Sequence, residues 1–279
     1  MKSFPRATLP FALTLALLVP ALPAEPSLFP DPALEAAVRQ SVFAKRDNAE
    51  PLTPDDVKDL SQIVARNKGI RDLTGLENCK RLMLLDLADN QISNLEPLAG
   101  LTLIQSLTLT NNQIRDIAPL AKLERLQYAE LSDNQITDVS ALSGLEAMRS
   151  LYLSNNQVAD ISALKSLKGL TSLYLDGNPV AGINAVAGME RLATLSAAGA
   201  RISDVSPLRK LTNLHRLDLA NNQIADIAPL AEMAAEDAAG QQRFAPFWIV
   251  NLSGNPLSAA SKDKALAELK KHSTRIQTE

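Results

Sequence analysis

Apolar residues recur along most of the chain in one fixed order. In "IQSLTLTNNQI", Leu107 and Leu109 are separated by one residue, Ile104 precedes them by three positions, and Ile114 follows. Alternation at Leu107 and Leu109 predicts a strand with one buried face. The next segment, "RDIAPLAKL", places Ile117, Leu120 and Leu123 around Pro119, with Asp116 where a cap would stand. That pattern predicts a short turn or 3₁₀ segment rather than a long helix.

The unit repeats. Asn90, Asn112, Asn134, Asn156 and Asn178 follow one another at intervals of 22 residues, and the register extends back to Lys68 and forward to Ala200 and Asn222. A ninth unit, "FWIVNLSGNPL", sets Asn255 in the same place 33 residues after Asn222, so one repeat has gained 11 residues. A single unit cannot bury its own leucines; nine stacked units form a continuous core. Asparagine carries both a donor and an acceptor, so at a sharp bend after the strand it can pair backbone groups that otherwise stay unpaired, at a cost of about 1 to 3 kcal/mol each.

Both ends of this stack have candidate covers. Asp31 followed by Pro32 reads as an N-cap and first helical residue, with Leu34, Ala37 and Val38 on one face. Thr53, Pro54, Asp55 and Asp56 open a second short helix bearing Val57 and Leu60. At the other end, "SKDKALAELKKH" sets Leu266 and Leu269 on one side, with Lys270, Lys271 and His272 in the last turn, where cations suit the dipole. The expected organisation is a leader at 1–24, a helical cap at 25–59, nine repeats at 60–257 with an insertion near 234–244, and a capping helix and tail at 258–279.

Composition adds the compartment. Lys2 and Arg6 precede the nine-residue apolar run "FALTLALLV" and the small-residue segment "PALPA", the order of a secretory signal peptide. The run is too short for a membrane span, which needs about 20 residues. Its removal lowers the formal charge from -3 to -5. That balance argues against nucleic acid as a partner. Cys79 is the only cysteine, so no intrachain disulfide is available. The expectation is an exported, monomeric chain.

These residues resemble leucine-rich-repeat proteins of the 22-residue class, specifically the internalin-like proteins of bacteria, over Phe29 to about Leu257. "LFPDPALEAAVRQSVF" is similar to the helical cap that precedes internalin repeats. The resemblance implies an α/β solenoid: a right-handed horseshoe with a concave parallel sheet, 3₁₀ or turn segments on the convex side, and a concave face that binds another protein. No Leu-Pro-x-Thr-Gly motif and no immunoglobulin-like segment follow the repeats, so wall attachment and host-cell invasion are not carried over. A phosphatase-regulator-like scaffold also uses 22-residue repeats, but the leader counts against it.

Alternation assigns the concave face. The residues between the paired leucines are Val64, Asp86, Thr108, Glu130, Tyr152, Tyr174, Ser196, Asp218 and Asn251; two positions earlier stand Gln62, Leu84, Ser106, Tyr128, Ser150, Ser172, Thr194, Arg216 and Ile249. All three tyrosines of the chain, Tyr128, Tyr152 and Tyr174, fall there in successive repeats. Tyrosine is enriched at binding hot spots, though it also simply fills strands well. Asp86, Asp89, Glu130, Asp133, Asp176 and Asp218 make the face acidic against Arg66 and Arg216, which suits a basic protein or peptide, or a merely solvated surface. The candidate partner-binding set is Tyr128, Tyr152, Tyr174, Asp86, Glu130, Asp176, Arg216 and Asp218.

Other candidates are weaker. Asp86 and Glu130 lie two strands, about 10 Å, apart, too far for one ion to bridge, so no metal is expected. With two histidines, His215 and His272, a turn-side Cys79 and no phosphate loop, neither catalysis nor a cofactor is expected. The insertion "EMAAEDAAGQQRFAPFWIV" is a candidate rim for the sheet. Within it Phe247 occupies a leucine position and is expected in the core, while Phe244 and Trp248 either line the enlarged turn or expose an anchor. In "LATLSAAGARISD", Ala197 and Ala200 replace a leucine and the asparagine, so a cavity and an unpaired backbone group are expected there. An envelope assembly element working through an edge or the insertion is the alternative function.

Overall fold

The computed structural model describes residues 27–273 and 275–279; the leader at 1–24 lies outside them. After a cap of two helices, α1 (Pro32–Ser41) and α2 (Pro54–Val57), ten short strands form one parallel sheet in sequence order. They are β1 (Gln62–Val64), β2 (Leu84–Asp86), β3 (Ser106–Thr108), β4 (Tyr128–Glu130), β5 (Ser150–Tyr152), β6 (Ser172–Tyr174), β7 (Thr194–Ser196), β8 (Arg216–Asp218), β9 (Ile249–Asn251) and β10 (Arg275–Gln277). Seven consecutive crossovers, from β1 to β8, pass through 3₁₀ turns such as Ala118–Lys122. The fold is a leucine-rich-repeat solenoid. Ile104, Leu107, Leu109, Ile114, Ile117, Leu120 and Leu123 and their counterparts in the second to eighth repeats are buried in one continuous core.

The asparagine column is a ladder. Asn156 Oδ1 accepts from Ile136 N–H at 2.9 Å, and its Nδ2 donates to Leu131 O at 3.0 Å and Leu153 O at 2.9 Å, tying each repeat to the one before. Ala200 interrupts it. Val158 and Ile202 N–H reach ladder amides at 2.9 Å each, but Val180 N–H between them finds no acceptor among the described residues.

The residue just before each rung sits in the left-handed region. Asn67, Asp89, Asn111, Asp133, Asn155 and Asn221 have φ between 52° and 62°, and Gly177, Gly199 and Gly254 take the remaining places. Asn, Asp and Gly are the residues that reach this region at least cost. The repeat thus requires two adjacent letters, not one.

The first cap is pinned to the repeats by Asp31. Its Oδ1 accepts from Ala33 N–H and Leu34 N–H, while Oδ2 accepts from Arg71 N–H at 2.7 Å and Asp72 N–H at 3.1 Å. Burial alone would raise this carboxyl; the four donors hold it below its usual value. Phe29 packs where Gly75, at φ 103°, leaves room: a Cβ there would collide with Leu28 O and the Phe29 ring.

Three expectations about the C-terminal third change. The insertion does not border the sheet; it lengthens the turn side into helix α3 (Ala228–Ala239), since that segment begins where other repeats form their 3₁₀ turn. Phe247 is 66% exposed, whereas Trp248 and Phe244 are fully buried and meet edge to face at 5.0 Å. The 3₁₀ turn Ala245–Phe247 rotates the chain by one residue, and the larger indole takes the core place beside α3. Finally, the segment expected as a tail returns after α4 (Leu266–His272) as β10, with Ile276 in register with Val250. Ser273 Oγ donates to Trp248 O at 2.7 Å and fixes that return.

Candidate concave binding face

Parallel register places Tyr128, Tyr152, Tyr174, Asp86, Glu130, Arg216 and Asp218 in the rows assigned to them, while Asp176 follows the end of β6. Gln62, Leu84, Ser106, Tyr128, Ser150, Ser172, Thr194, Arg216 and Ile249 are partners along one row, and Val64, Asp86, Thr108, Glu130, Tyr152, Tyr174, Ser196, Asp218 and Asn251 along the next. The apolar residues between them point the other way and are buried, which leaves these rows as the sheet's open face.

The tyrosines form one cluster. Tyr152 and Tyr174 stack with ring centroids 4.6 Å apart and planes 10° from parallel; Tyr128 leans on Tyr152 at 5.4 Å and 47°. All three are half-buried. Burial, then the neighbouring Glu130 carboxylate, pushes the Tyr128 hydroxyl up, and burial and Tyr174 do the same to Tyr152. The three rings are apolar in body and hydrogen-bonding at the tip.

The acids are less free than their letters suggest. Asp86 is paired with Arg66 Nε at 2.6 Å. Glu130 accepts from Ser132 N–H at 3.1 Å, and Asp218 from Ala220 N–H at 3.1 Å and Asn251 Nδ2 at 3.2 Å. Asp176 accepts from Ser196 Oγ at 2.6 Å and Ala198 N–H at 2.8 Å through Oδ1, and from Ser154 Oγ at 3.2 Å through Oδ2. Each carboxylate braces the turn after its strand and has lone pairs left over. Arg216 is exposed on β8. Asp89 and Asp133 belong to the left-handed column and accept from Asn111 and Asn155 at 2.9 and 2.8 Å, so they are chiefly parts of the turn.

Cys79 is buried, and burial pushes its thiol up to about 12. Among the described residues no group of three or more His, Cys, Asp or Glu could hold a metal ion, and no helix is long and apolar enough to cross a membrane. A cleft of about 450 Å³ lies between α3 and α4, floored by Ala231, Ala235 and Ala265. Its rim carboxylates are already engaged, Glu232 by Arg209 at 2.7 Å and Glu268 by Lys271 at 2.6 Å.

The family model for leucine-rich repeats (two copies) matches residues 80–122, 124–166, 146–188 and 190–232. The chain belongs to the leucine-rich-repeat family. This repeat protein is similar in structure to internalin C2 from Listeria monocytogenes, at 35% identity and a TM-score of 0.74, over 82% of this chain and 98% of that one. It is also similar to the internalin InlF from the same organism, at 26% identity and a TM-score of 0.74, over 91% of this chain and 78% of that one. No curated protein matches the chain. The match to internalin C2 makes this repeat protein internalin-like, as the repeat and the N-terminal cap segment imply, and a leucine-rich-repeat fold of this kind is an interaction module in general character.

Proposed function

We propose that this chain is an exported, non-catalytic binding module whose concave face recognises a protein or peptide. The observation that carries this is the tyrosine cluster: every tyrosine of the sequence is gathered on three adjacent strands, stacked and half-buried on the open face rather than spent in the core. Aromatic rings with a polar tip give large contact area at low entropy cost. The surrounding Glu130, Asp176 and Asp218 favour a basic partner. Export rests on Lys2, Arg6 and the apolar run, and is tested by N-terminal sequencing of the mature chain, expected to begin near Glu25.

Binding is tested with Tyr152→Ala and Tyr174→Ala, which should weaken partner binding and leave thermal stability nearly unchanged. A second reading, assembly in the envelope through the insertion, draws on the exposed Phe247. Phe247→Ser tests it, because deleting 234–244 would also remove the buried Asp237 and Phe244 and unfold the repeat.

A further inference from the structure

We infer that the outer edge of β10 takes an extended partner segment of alternating acidic and aliphatic residues, added to the sheet as a further strand; this site stands apart from the concave tyrosines. The strands run in sequence order, so β1 and β10 are the two edges of the sheet. The first edge is guarded, because α1 packs against β1. Among the described residues β10 is paired on its β9 side alone. Leu252 N–H donates to Gln277 O at 2.8 Å, which turns the Gln277 backbone toward β9. Successive residues of a strand turn their N–H and C=O to opposite sides, so Ile276 turns both of its groups outward. Neither group has a partner among the described residues. An open edge of this kind is a template for another strand.

The side chains around this edge define what pairs there. Ile276 is half-buried against the core, so an incoming residue on that side meets an apolar surface. Arg275 and Gln277 stand on the opposite, open-face side and are exposed. A cleft of about 400 Å³ runs beside the strand, lined by Lys270, Ile276, Gln277, Thr278 and Glu279. Neither Lys270 nor Arg275 is ion-paired among the described residues, because Glu268 of α4 is taken by Lys271 and His272 at 2.6 and 3.0 Å. Two unengaged cations beside one apolar position match a strand that reads acid, aliphatic, acid. Cations at an edge also repel a like-charged strand, so a second copy of β10 would set Lys270 and Arg275 against their own kind.

The test titrates the whole chain with a fluorescein-labelled hexapeptide of alternating glutamate and valine at about 150 mM salt, where long-range attraction is screened. The controls are alternating lysine and valine, and the glutamate peptide N-methylated either at its valines or at its glutamates. Anisotropy is read for the parent, for Ile276→Pro and for the double variant Lys270→Glu, Arg275→Glu, with the thermal midpoint of each. The glutamate peptide should bind the parent about tenfold more tightly than the lysine peptide. One of the two methylated forms should lose binding, because an added strand donates through alternate residues. Ile276→Pro removes the outward N–H without touching a ladder bond and should weaken binding about tenfold. The double variant changes two exposed, unpaired side chains and should transfer the preference to the lysine peptide. Equal affinity for the glutamate and lysine peptides, full binding of both methylated forms, or a double variant that still prefers glutamate would overturn the strand site. If Ile276→Pro fails to fold, the double variant and the methylated peptides decide. A parent that dimerises with rising concentration in sedimentation and takes no glutamate peptide overturns it in favour of a second copy.

Discussion

Tyr152 and Tyr174, 22 residues apart in sequence, lie face to face at 4.6 Å on adjacent strands of the open face. A strict repeat places identical positions one strand apart, so a side chain that recurs in one column is stacked by the backbone itself. A solenoid can in this way build an extended aromatic surface without any dedicated loop.

The Asp31 clamp predicts acid sensitivity. Asp31→Ala removes a helix cap and the acceptor for Arg71 and Asp72 N–H, and should cost about 2 kcal/mol in urea unfolding. Because the folded carboxyl titrates below its usual value, its contribution is present above about pH 4 and is lost as the pH falls through the lower folded value. Parent and variant should converge in stability at low pH; a constant difference down to pH 2 would show that the carboxylate charge is irrelevant.

The ladder predicts effects of opposite sign at two rungs. Asn156→Ala leaves several buried backbone groups unpaired and should destabilise by about 2 to 4 kcal/mol. Ala200→Asn offers Val180 N–H an acceptor and should stabilise by about 1 kcal/mol. Denaturant midpoints check both, and an Ala200→Asn chain less stable than the parent would mean that the gap is not a missing rung.

These rungs also show what the sequence made legible. The leucine period identified the solenoid, and strict alternation identified the concave rows, because both signals repeat nine times. The left-handed column, with Asn, Asp or Gly before every rung, was equally visible but reads as generic polarity until its φ angles are known. Asp89 and Asp133 therefore read as concave-face acids in the sequence, whereas the structure makes them parts of the turn. The insertion was harder. Phe247 and Trp248 exchange places because a single 3₁₀ turn shifts the phase, and a one-residue shift carries no signature in hydrophobicity. Strand β10 carries little sequence signal because Ile276 is its only apolar residue.

Asp237 should hold the insertion together. Its carboxylate accepts from Arg243, Phe244 and Ala245 N–H at 3.0, 3.0 and 2.9 Å. Asp237→Ala is expected to cost about 2 to 4 kcal/mol and to shift the emission of Trp248 to the red as the indole gains water. Unshifted emission with full stability would contradict this role.

Cys79 should be silent in the folded chain. Its thiol reacts as the thiolate, and burial raises it from 9.0 to about 12. A disulfide-exchange reagent at pH 8 is expected to label it only at the rate of unfolding. The fold favours the neutral thiol, so its contribution is full below about pH 9 and declines as the pH rises towards 12; Cys79→Ala should show a shallower alkaline loss. Immediate labelling of the native chain would place the thiol at the surface.

The most direct measurement captures partners with the mature parent chain and compares the affinity of a captured protein for the parent and for the Tyr152→Ala, Tyr174→Ala double variant, at matched thermal midpoints. The concave reading predicts a loss of at least about 2 kcal/mol, some thirtyfold in Kd, with the midpoint nearly unchanged. Equal affinity for the two chains would contradict it and move the binding surface off the tyrosine face.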